Sequence, residues 1–200
     1  MKDSVQPRST RDAILDATDR LLAKYGYKKM TIDDLASEVG IGKGSVYLHF
    51  ASKEEIALSH IDRIIERLMN RLVSIAASSD IVDKRLRKMM VERVLFRFDS
   101  VQHYSQSLNE MLANLRPRLL ERRRRYFEEE ARLFAQVLSE GKKAGIFTFR
   151  DPVITANAIL DATNSLLPYS LSVRELGERS EIETKTLNLA DLILNGLGKR

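Results

Sequence analysis

The segment 41–50, IGKGSVYLHF, combines hydrogen-bond donors with apolar residues at helical spacing. Its side-chain donors are Lys43, Ser45, Tyr47 and His49. Val46 and Phe50 lie one helical turn apart, so they can pack against a core while the donors face outward. An exposed helix face of donors and small residues is what the DNA major groove accepts. The segment therefore predicts a helix that reads DNA.

Residues around these donors extend the predicted DNA-contacting surface. Gly44 has no side chain, which would let the helix backbone approach DNA closely. Lys53 places a charge beside the free N–H groups of a helix start, a favourable phosphate site, and Thr31 offers a hydroxyl at another. The predicted DNA contacts are Thr31, Lys43, Gly44, Ser45, Tyr47, His49 and Lys53.

Several of these residues also have a plainer interpretation. Tyr47 could be a packing residue, and His49 an ordinary surface residue. Gly44 could be a flaw in the helix that costs about 1 kcal/mol relative to alanine. We favour DNA contact for all three because their residue types and spacing agree with one another. Leu48 stays open: if exposed, it could touch a thymine methyl group.

Helix start and stop signals place this segment in a helix-turn-helix. Capping boxes, a Ser or Thr followed three residues later by an acidic residue, begin three predicted helices. The pairs are Ser9–Asp12, Thr31–Asp34 and Ser52–Glu55. Gly26 and Gly40 are typical left-handed stops of the first and second helices. The tight turn at Gly40 then leads directly into the candidate DNA-reading helix.

The stretch 30–58, MTIDDLASEVGIGKGSVYLHFASKEEIAL, resembles the TetR family of bacterial transcriptional regulators. The family pattern has a Thr-initiated helix, a small-residue turn, Lys-Gly-x-hydrophobic-Tyr-x-Tyr/His-Phe, and then Ser-Lys-Glu. Matching residues stand here at matching spacing, and the likeness extends over about fifty to sixty residues with the first helix. Gly42, where the family usually has serine, departs from the pattern and weakens the predicted helix cap.

Apolar residues recur at a 3.6-residue period along nearly the whole chain, which predicts an all-α fold of about nine helices. We expect a flexible tail over 1–8, a three-helix DNA-binding domain over 9–53 and a C-terminal helical domain over 54–200. Pro117 is typical of a helix's first turn, so it predicts a boundary between a short helix over 105–115 and a long one from 117. Asp151 caps a further helix, and Ser180 with Glu183 is expected to cap the last.

Composition excludes several classes of function. The chain has no cysteine, three scattered histidines and no assembled nucleophile, phosphate loop or metal pair, so we expect neither an enzyme nor a metal or cofactor site. No apolar run is long enough for a membrane span, and the N-terminus lacks the apolar core of a secretory signal. A cytoplasmic location is expected. The net charge of +5 permits an anionic partner without identifying one.

The resemblance implies a C-terminal domain that binds a small molecule and forms a homodimer through its last two helices. The final helix is apolar on more than one face, which fits burial on several sides; a monomeric core is the alternative. Aromatic residues and a methionine of the middle helices, with polar residues of a later helix, are the candidate ligand contacts, although an aromatic or methionine at helical spacing is more often plain core. They are Phe96, Tyr104, Met111, Phe127, Phe134, Asn157, Asp161 and Asn164.

The charged block RRRRYFEEE at 122–130 is interpreted as the solvated face of a long helix. Arg124–Glu128 and Arg125–Glu129 have the i, i+4 spacing of surface ion pairs. The glutamates neutralise the arginines, which argues against a second nucleic-acid patch.

Together these features predict a homodimeric, sequence-specific DNA-binding regulator, most simply a repressor that a small-molecule effector releases from a palindromic operator. Two alternatives stay open. One is an architectural or interaction protein with the same DNA head and no ligand; a fully packed C-terminal interior would favour it. The other is an activator, which sequence does not distinguish from a repressor.

Overall fold

The computed structural model describes residues 9–168 and 177–198, and the regular secondary structure of this part of the chain is helical, apart from one isolated β-bridge between Phe147 and Gly198. The predicted tail over 1–8 lies outside the described residues. One short 3₁₀ turn, Gln102–Tyr104, joins two of the helices. The α-helices are α1 (Thr10–Lys29), α2 (Ile32–Val39), α3 (Lys43–His49), α4 (Lys53–Ala76), α5 (Val82–Val101), α6 (Ser105–Lys143), α7 (Pro152–Asn164) and α8 (Arg179–Leu197). The predicted all-α class is confirmed.

Local capping explains the starts of four of the eight described α-helices. Ser9, Thr31 and Ser52 each accept a hydrogen bond from the N–H three residues later, and Asp151 accepts two at the start of α7. These bonds satisfy N–H groups that lack a partner within the helix. The expected box at Ser180 is wrong, because α8 begins one residue earlier, at Arg179, with no side-chain cap.

The predicted helix boundary at Pro117 is also wrong, which reduces the predicted nine helices to eight α-helices in the described part of the chain. Helix α6 runs unbroken for 39 residues with Pro117 inside it. A proline in a helix interior costs roughly 3 kcal/mol. The helix continues because Met111, Leu115 and Tyr126 on either side of the proline are buried.

Three apolar cores lie along the described part of the bundle, and the smallest joins Val94, Leu95 and Phe98 of α5 to Leu167 and to Ile182 of α8. The first joins α1, α2 and α3 to the start of α4 and to the segment 101–115, so the head formed by α1–α3 shares its core with the helices that follow. The second lies among α4, α5, α6, α7 and α8. Helices α4, α5 and α6 contribute residues to both of these cores, and all three therefore connect the head to the rest of the molecule.

Candidate nucleic-acid interface and effector cavity

Helix α3 is held by its apolar side. Val46 is fully buried and Phe50, at the C-terminal end, is nearly so, and both belong to the core of the head. Gly40, which ends α2, has φ +75° and so takes the left-handed turn that glycine adopts most readily. The tight turn and the two apolar anchors fix the orientation of a helix that is only 7 residues long.

The opposite face of α3 is open to solvent. Lys43, Gly44 and His49 are exposed, as are Tyr47, at 49%, and Leu48, at 85%. Ser45 is half-buried. The division into an inner and an outer face that the sequence predicted is therefore present, and the exposed Leu48 has no intramolecular packing that would account for it.

Gly44 has no internal reason to be glycine. A Cβ built at this position would meet nothing within 4 Å, and its backbone does not adopt a positive φ. Gly42, which precedes α3, has the same open surroundings and provides no side-chain cap for the helix. The missing side chain at Gly44 therefore leaves free space on the outside of the molecule.

Three of the predicted DNA-contacting residues already bond to other groups of the head. Lys43 Nζ donates to Asp33 at 2.8 Å, and this carboxylate raises the pKa of Lys43. The Thr31 hydroxyl donates to Asp34 at 2.7 Å within the capping box. Lys53 Nζ donates to the carbonyl oxygens of Tyr27, Lys28 and Met30 at 3.0, 3.4 and 3.2 Å. Lys53 thus ties the end of α1 to the start of α4.

A cavity of about 350 Å³ lies among α4, α5, α6 and α7. Its apolar wall includes Ile61, Ile64 and Ile65 of α4 and Leu119 of α6. Of the predicted ligand contacts, Phe127 and Asn164 line it. The other six lie elsewhere. Met111 and Phe134 are buried in the cores, Tyr104 is buried against His60, Phe96 packs below Arg71, and Asn157 and Asp161 lie on α7 away from the cavity.

The polar part of the cavity wall is a buried cluster that the sequence did not reveal. Arg93 Nε donates to Glu130 at 2.6 Å, and Arg97 donates to the other oxygen of the same carboxylate. Arg93 also donates to Thr163 at 2.7 Å and to Asn164 at 2.8 Å. Burial alone would raise the pKa of Glu130, but Arg97 and Arg93 lower it below its ordinary value. Glu130 is therefore ionised.

This cluster corrects the interpretation of the charged block 122–130 as a solvated face. Glu130 is 1% exposed and Tyr126 is buried, whereas Glu128 and Glu129 are exposed as expected. A one-residue step along the helix turns a side chain by about 100°, so adjacent glutamates can face water and the core. In the sequence, the i, i+4 spacing of Arg93 and Arg97, which places both arginines on one face of α5, was the signal that could have indicated this cluster.

A polar chain connects the cavity wall to the first turn of α4. Tyr126, which lines the cavity, donates to Asp62, and Arg122 donates to both Asp62 and Glu55. Arg118 donates to Glu55 as well, at 2.9 Å. Burial and the bond to Asp62 raise the pKa of Tyr126, so its hydroxyl stays protonated and donates. Glu55 lies three residues after Ser52, next to the head.

A second polar cluster lies where α1 meets the rest of the molecule. Nε2 of the buried His60 is 3.0 Å from the Tyr104 hydroxyl, and His103 lies 3.1 Å from Asp19 of α1. The pKa of His60 is lowered to about 4, because the effect of burial exceeds the opposite effect of the Asp19 carboxylate. His60 is therefore neutral at pH 7. In the described part of the chain, no group of three or more His, Cys, Asp or Glu residues could hold a metal ion.

None of the described helices is both long enough and apolar enough to cross a membrane.

Comparison with known proteins agrees with this architecture. Residues 14–59 match the model of the bacterial regulatory proteins of the tetR family, and residues 82–186 match the tetracyclin repressor-like C-terminal domain. The HTH-type transcriptional regulator YerO of Bacillus subtilis is 26% identical over 94% of this chain, which spans 66% of that relative's length.

One further relative and one solved structure extend the comparison. The HTH-type transcriptional repressor KstR2 of Mycobacterium tuberculosis is 27% identical over 71% of both chains. The regulator FadR of Bacillus subtilis, solved in complex with stearoyl-CoA, shares the fold with a TM-score of 0.69 at 16% identity, over 92% of this chain and 98% of its own. With both family models matched in order along the sequence, the chain belongs to the TetR family of bacterial transcriptional regulators.

Proposed function

We propose that the protein is a homodimeric, sequence-specific DNA-binding repressor that a small-molecule effector releases from a palindromic operator. The observation that carries this proposal is the exposed face of α3, with Tyr47 and Leu48 outward and Val46 and Phe50 anchored behind them. A helix whose apolar face is packed against the core can enter the major groove with its other face and without a change in its own fold. A regulator of this kind acts in the cytoplasm, where the DNA is.

Individual contacts follow from the geometry of α3. Tyr47 and His49 would donate to phosphates, and Gly44 would allow close approach of the backbone. Ser45 would bond a base edge or phosphate, and Leu48 would contact a thymine methyl group. Lys43 would exchange its exposed bond to Asp33 for a phosphate. Thr31 and Lys53 would act mainly through position, because the Thr31 hydroxyl accepts the Asp34 N–H bond that starts α2 and donates to the Asp34 carboxylate, and Lys53 joins α1 to α4.

Dimer formation would place two copies of α3 in successive major grooves, about 34–36 Å apart. Helix α7 packs on α6 and α8 packs on α5, and each leaves apolar side chains exposed. Ile154 on α7 is 69% exposed and Leu192 on α8 is 72% exposed. Small Ala158 continues the exposed face of α7 one turn after Ile154. A two-fold dimer through these faces would bury them.

The cavity favours an effector-controlled repressor over an architectural protein without a ligand. A protein without a ligand is expected to have a fully packed interior. The cavity here instead has a volume in the range typical of ligand sites, about 300–1,000 Å³. The cavity-lining Tyr126 connects to Glu55 beside the head through Asp62 and Arg122. An effector that binds better to a conformation with misplaced α3 helices would release DNA by population shift.

Fluorescence anisotropy with labelled fragments of the promoter region upstream of the protein's own gene tests the DNA-binding proposal. We expect binding of two chains per site, with affinity that falls steeply as salt rises. Leu192→Glu should leave the chain folded but monomeric and weaken operator binding, and Glu129→Gln, an exposed change on another helix, is the matched control. Absence of binding at low salt, where phosphate contacts are strongest, would refute the proposal.

A further inference from the structure

The cavity combines an apolar wall with an excess of positive charge. The charged residues that line it are Arg93, Arg97, Arg116, Arg123 and Glu130, so the lining carries four positive charges and one negative. Arg93, Arg97 and Glu130 form its innermost polar cluster, with a combined charge of +1. The rest of the wall is mainly aliphatic and aromatic.

Stability alone does not account for a buried ion cluster at this position. Removing a charge from water costs several kcal/mol per ion even after relaxation, so apolar residues of similar volume are often equally or more stable. Arg93 and Glu130 are each 1% exposed and yet border an open cavity. A cluster that faces a ligand site has another use, since two guanidinium groups can hold an acidic group by charge-assisted hydrogen bonds.

The surroundings fix Arg93 in place. Glu130, Thr163 and Asn164 accept its hydrogen bonds from α6 and α7, and Arg97 donates to the Arg93 carbonyl at 3.0 Å. The positive groups are therefore preorganised, and a ligand would not need to order long flexible side chains before binding to them.

We propose that the effector is an anionic amphipath, a molecule with one acidic group and an apolar body. The acidic group, a carboxylate or a phosphate ester, would bind beside Arg93 and Arg97. The apolar body would lie against Ile61, Ile64, Ile65 and Leu119. This inference rests on the proposed effector function and specifies its ligand class. A cation of the same shape would meet the positive lining and be excluded.

Calorimetry on the full-length chain with three ligands of equal chain length tests the charge requirement. Decanoate should bind, and decan-1-ol and decyltrimethylammonium should each bind at least about tenfold more weakly, because charge-assisted bonds contribute about 1.5–3 kcal/mol. Decyl phosphate distinguishes the two acidic groups, and preference for either supports the proposal. Equal affinity for acid and alcohol, or no binding of either acid, would overturn it.

Variants of the cluster test the site itself. The triple variant Arg93→Met, Arg97→Met, Glu130→Leu replaces the ions with apolar groups and should fold, yet lose the preference for decanoate over decanol. Glu130→Gln raises the charge of the cluster by one, so decanoate should bind more tightly and raise the Tm more than in the parent chain. Arg132→Gln, an exposed change on α6, should leave the preference unchanged. A triple variant that still prefers the acid would contradict the assigned site.

Operator release is measured separately. Decanoate that binds through the cluster but leaves the DNA complex intact would count against the effector function proposed above, and the assignment of the anion site would stand. DNA binding that fails in the absence of any ligand would contradict the repressor proposal alone.

Discussion

The two candidate sites differ in how they hold charged groups. On α3, Lys43 pairs with Asp33 in water, where a pair contributes little to stability and breaks readily. In the cavity, Arg93, Arg97 and Glu130 are buried and depend on one another. Changes on α3 should therefore alter binding with little effect on folding. Changes in the cavity should alter both.

Glu130→Leu should give the largest effect. It leaves Arg93 and Arg97 buried without their shared carboxylate, so the free energy of unfolding should fall by about 3–5 kcal/mol. Urea denaturation measures this loss. The adjacent Glu129→Leu is the matched control, because Glu129 is exposed and should change stability by less than about 0.5 kcal/mol. If both variants lose a similar free energy of unfolding, the buried cluster does not depend on its ion pairs, and the proposed difference between the cavity and α3 is wrong.

His60 tests whether an uncompensated buried charge also lowers the stability of the fold outside the cavity. Its pKa in the folded protein is about 4, below the ordinary value of 6.5, so the folded state resists protonation. In the unfolded chain His60 binds a proton as the pH falls through about 6.5, whereas the folded state does not until about 4. Stability is therefore lost across this window, by about 3 kcal/mol for the full shift.

Urea denaturation at several pH values measures the contribution of His60. The groups around it are Asp19, Arg63, Arg67 and His103, and carboxylates elsewhere add their own pH dependence. His60→Gln keeps a polar side chain near Tyr104 and removes the titration, so the loss between pH 6.5 and 4 should be smaller in this variant. An identical loss in both proteins would show that His60 does not titrate as its burial predicts.

The chain of bonds from the cavity to the head should behave as one unit. Tyr126→Phe and Glu55→Gln each remove one end of the network that Asp62 and Arg122 join. Their effects on unfolding should be non-additive by about 0.5–1 kcal/mol, as expected for residues of one hydrogen-bond network. Tyr126→Phe combined with Lys43→Gln should be additive. Additivity in both pairs would remove the physical link between cavity and head.

These comparisons also explain what the sequence could predict. The two faces of α3 follow from residues within ten positions, because Val46 and Phe50 share one helical turn and Gly40 sets the tight turn before it. The cavity depends on contacts between distant parts of the chain. Glu130 meets Arg93 37 residues away, and Asn164 lies 71 residues from Arg93. The i, i+4 spacing from Tyr126 to Glu130 and Phe134 places Glu130 on the buried face of α6, but it does not identify the arginines of α5 as its partners.

Helix ends show the same distinction. The caps at Thr31 and Ser52 were predictable because the side chain bonds within three residues. Pro117 was misread because the local rule favours a helix start, whereas packing on both sides of the proline outweighs its cost in α6.

Tyr47→Ala should act on DNA binding alone. Tyr47 is 49% exposed, so the free energy of unfolding should change by less than about 0.5 kcal/mol. Each chain of a dimer should lose one phosphate contact, which contributes about 0.7 kcal/mol. The two losses together should weaken operator binding about tenfold. Fluorescence anisotropy measures the affinity. Tyr47→Phe separates the two interpretations of the residue: an affinity equal to that of the parent would mean that the ring packs and the hydroxyl makes no contact.

Gly44→Ala makes the sharpest comparison between folding and binding, although its effect is the smallest. A Cβ at this position meets no atom of the protein within 4 Å, so alanine should stabilise the helix by roughly 0.5–1 kcal/mol. The same methyl group occupies the space through which the backbone would approach DNA, so operator affinity should fall. Gly44→Leu should lower affinity further while keeping the gain in helix stability. Gly42→Ala adds the same methyl group just before α3 in equally open surroundings, so its operator affinity is the control for added volume; its stability should fall, because alanine is a poorer N-cap than glycine. If Gly44→Ala stabilises the protein and binds the operator as tightly as the parent chain, the glycine is not needed for close approach, and the DNA-facing surface of α3 then begins at Ser45.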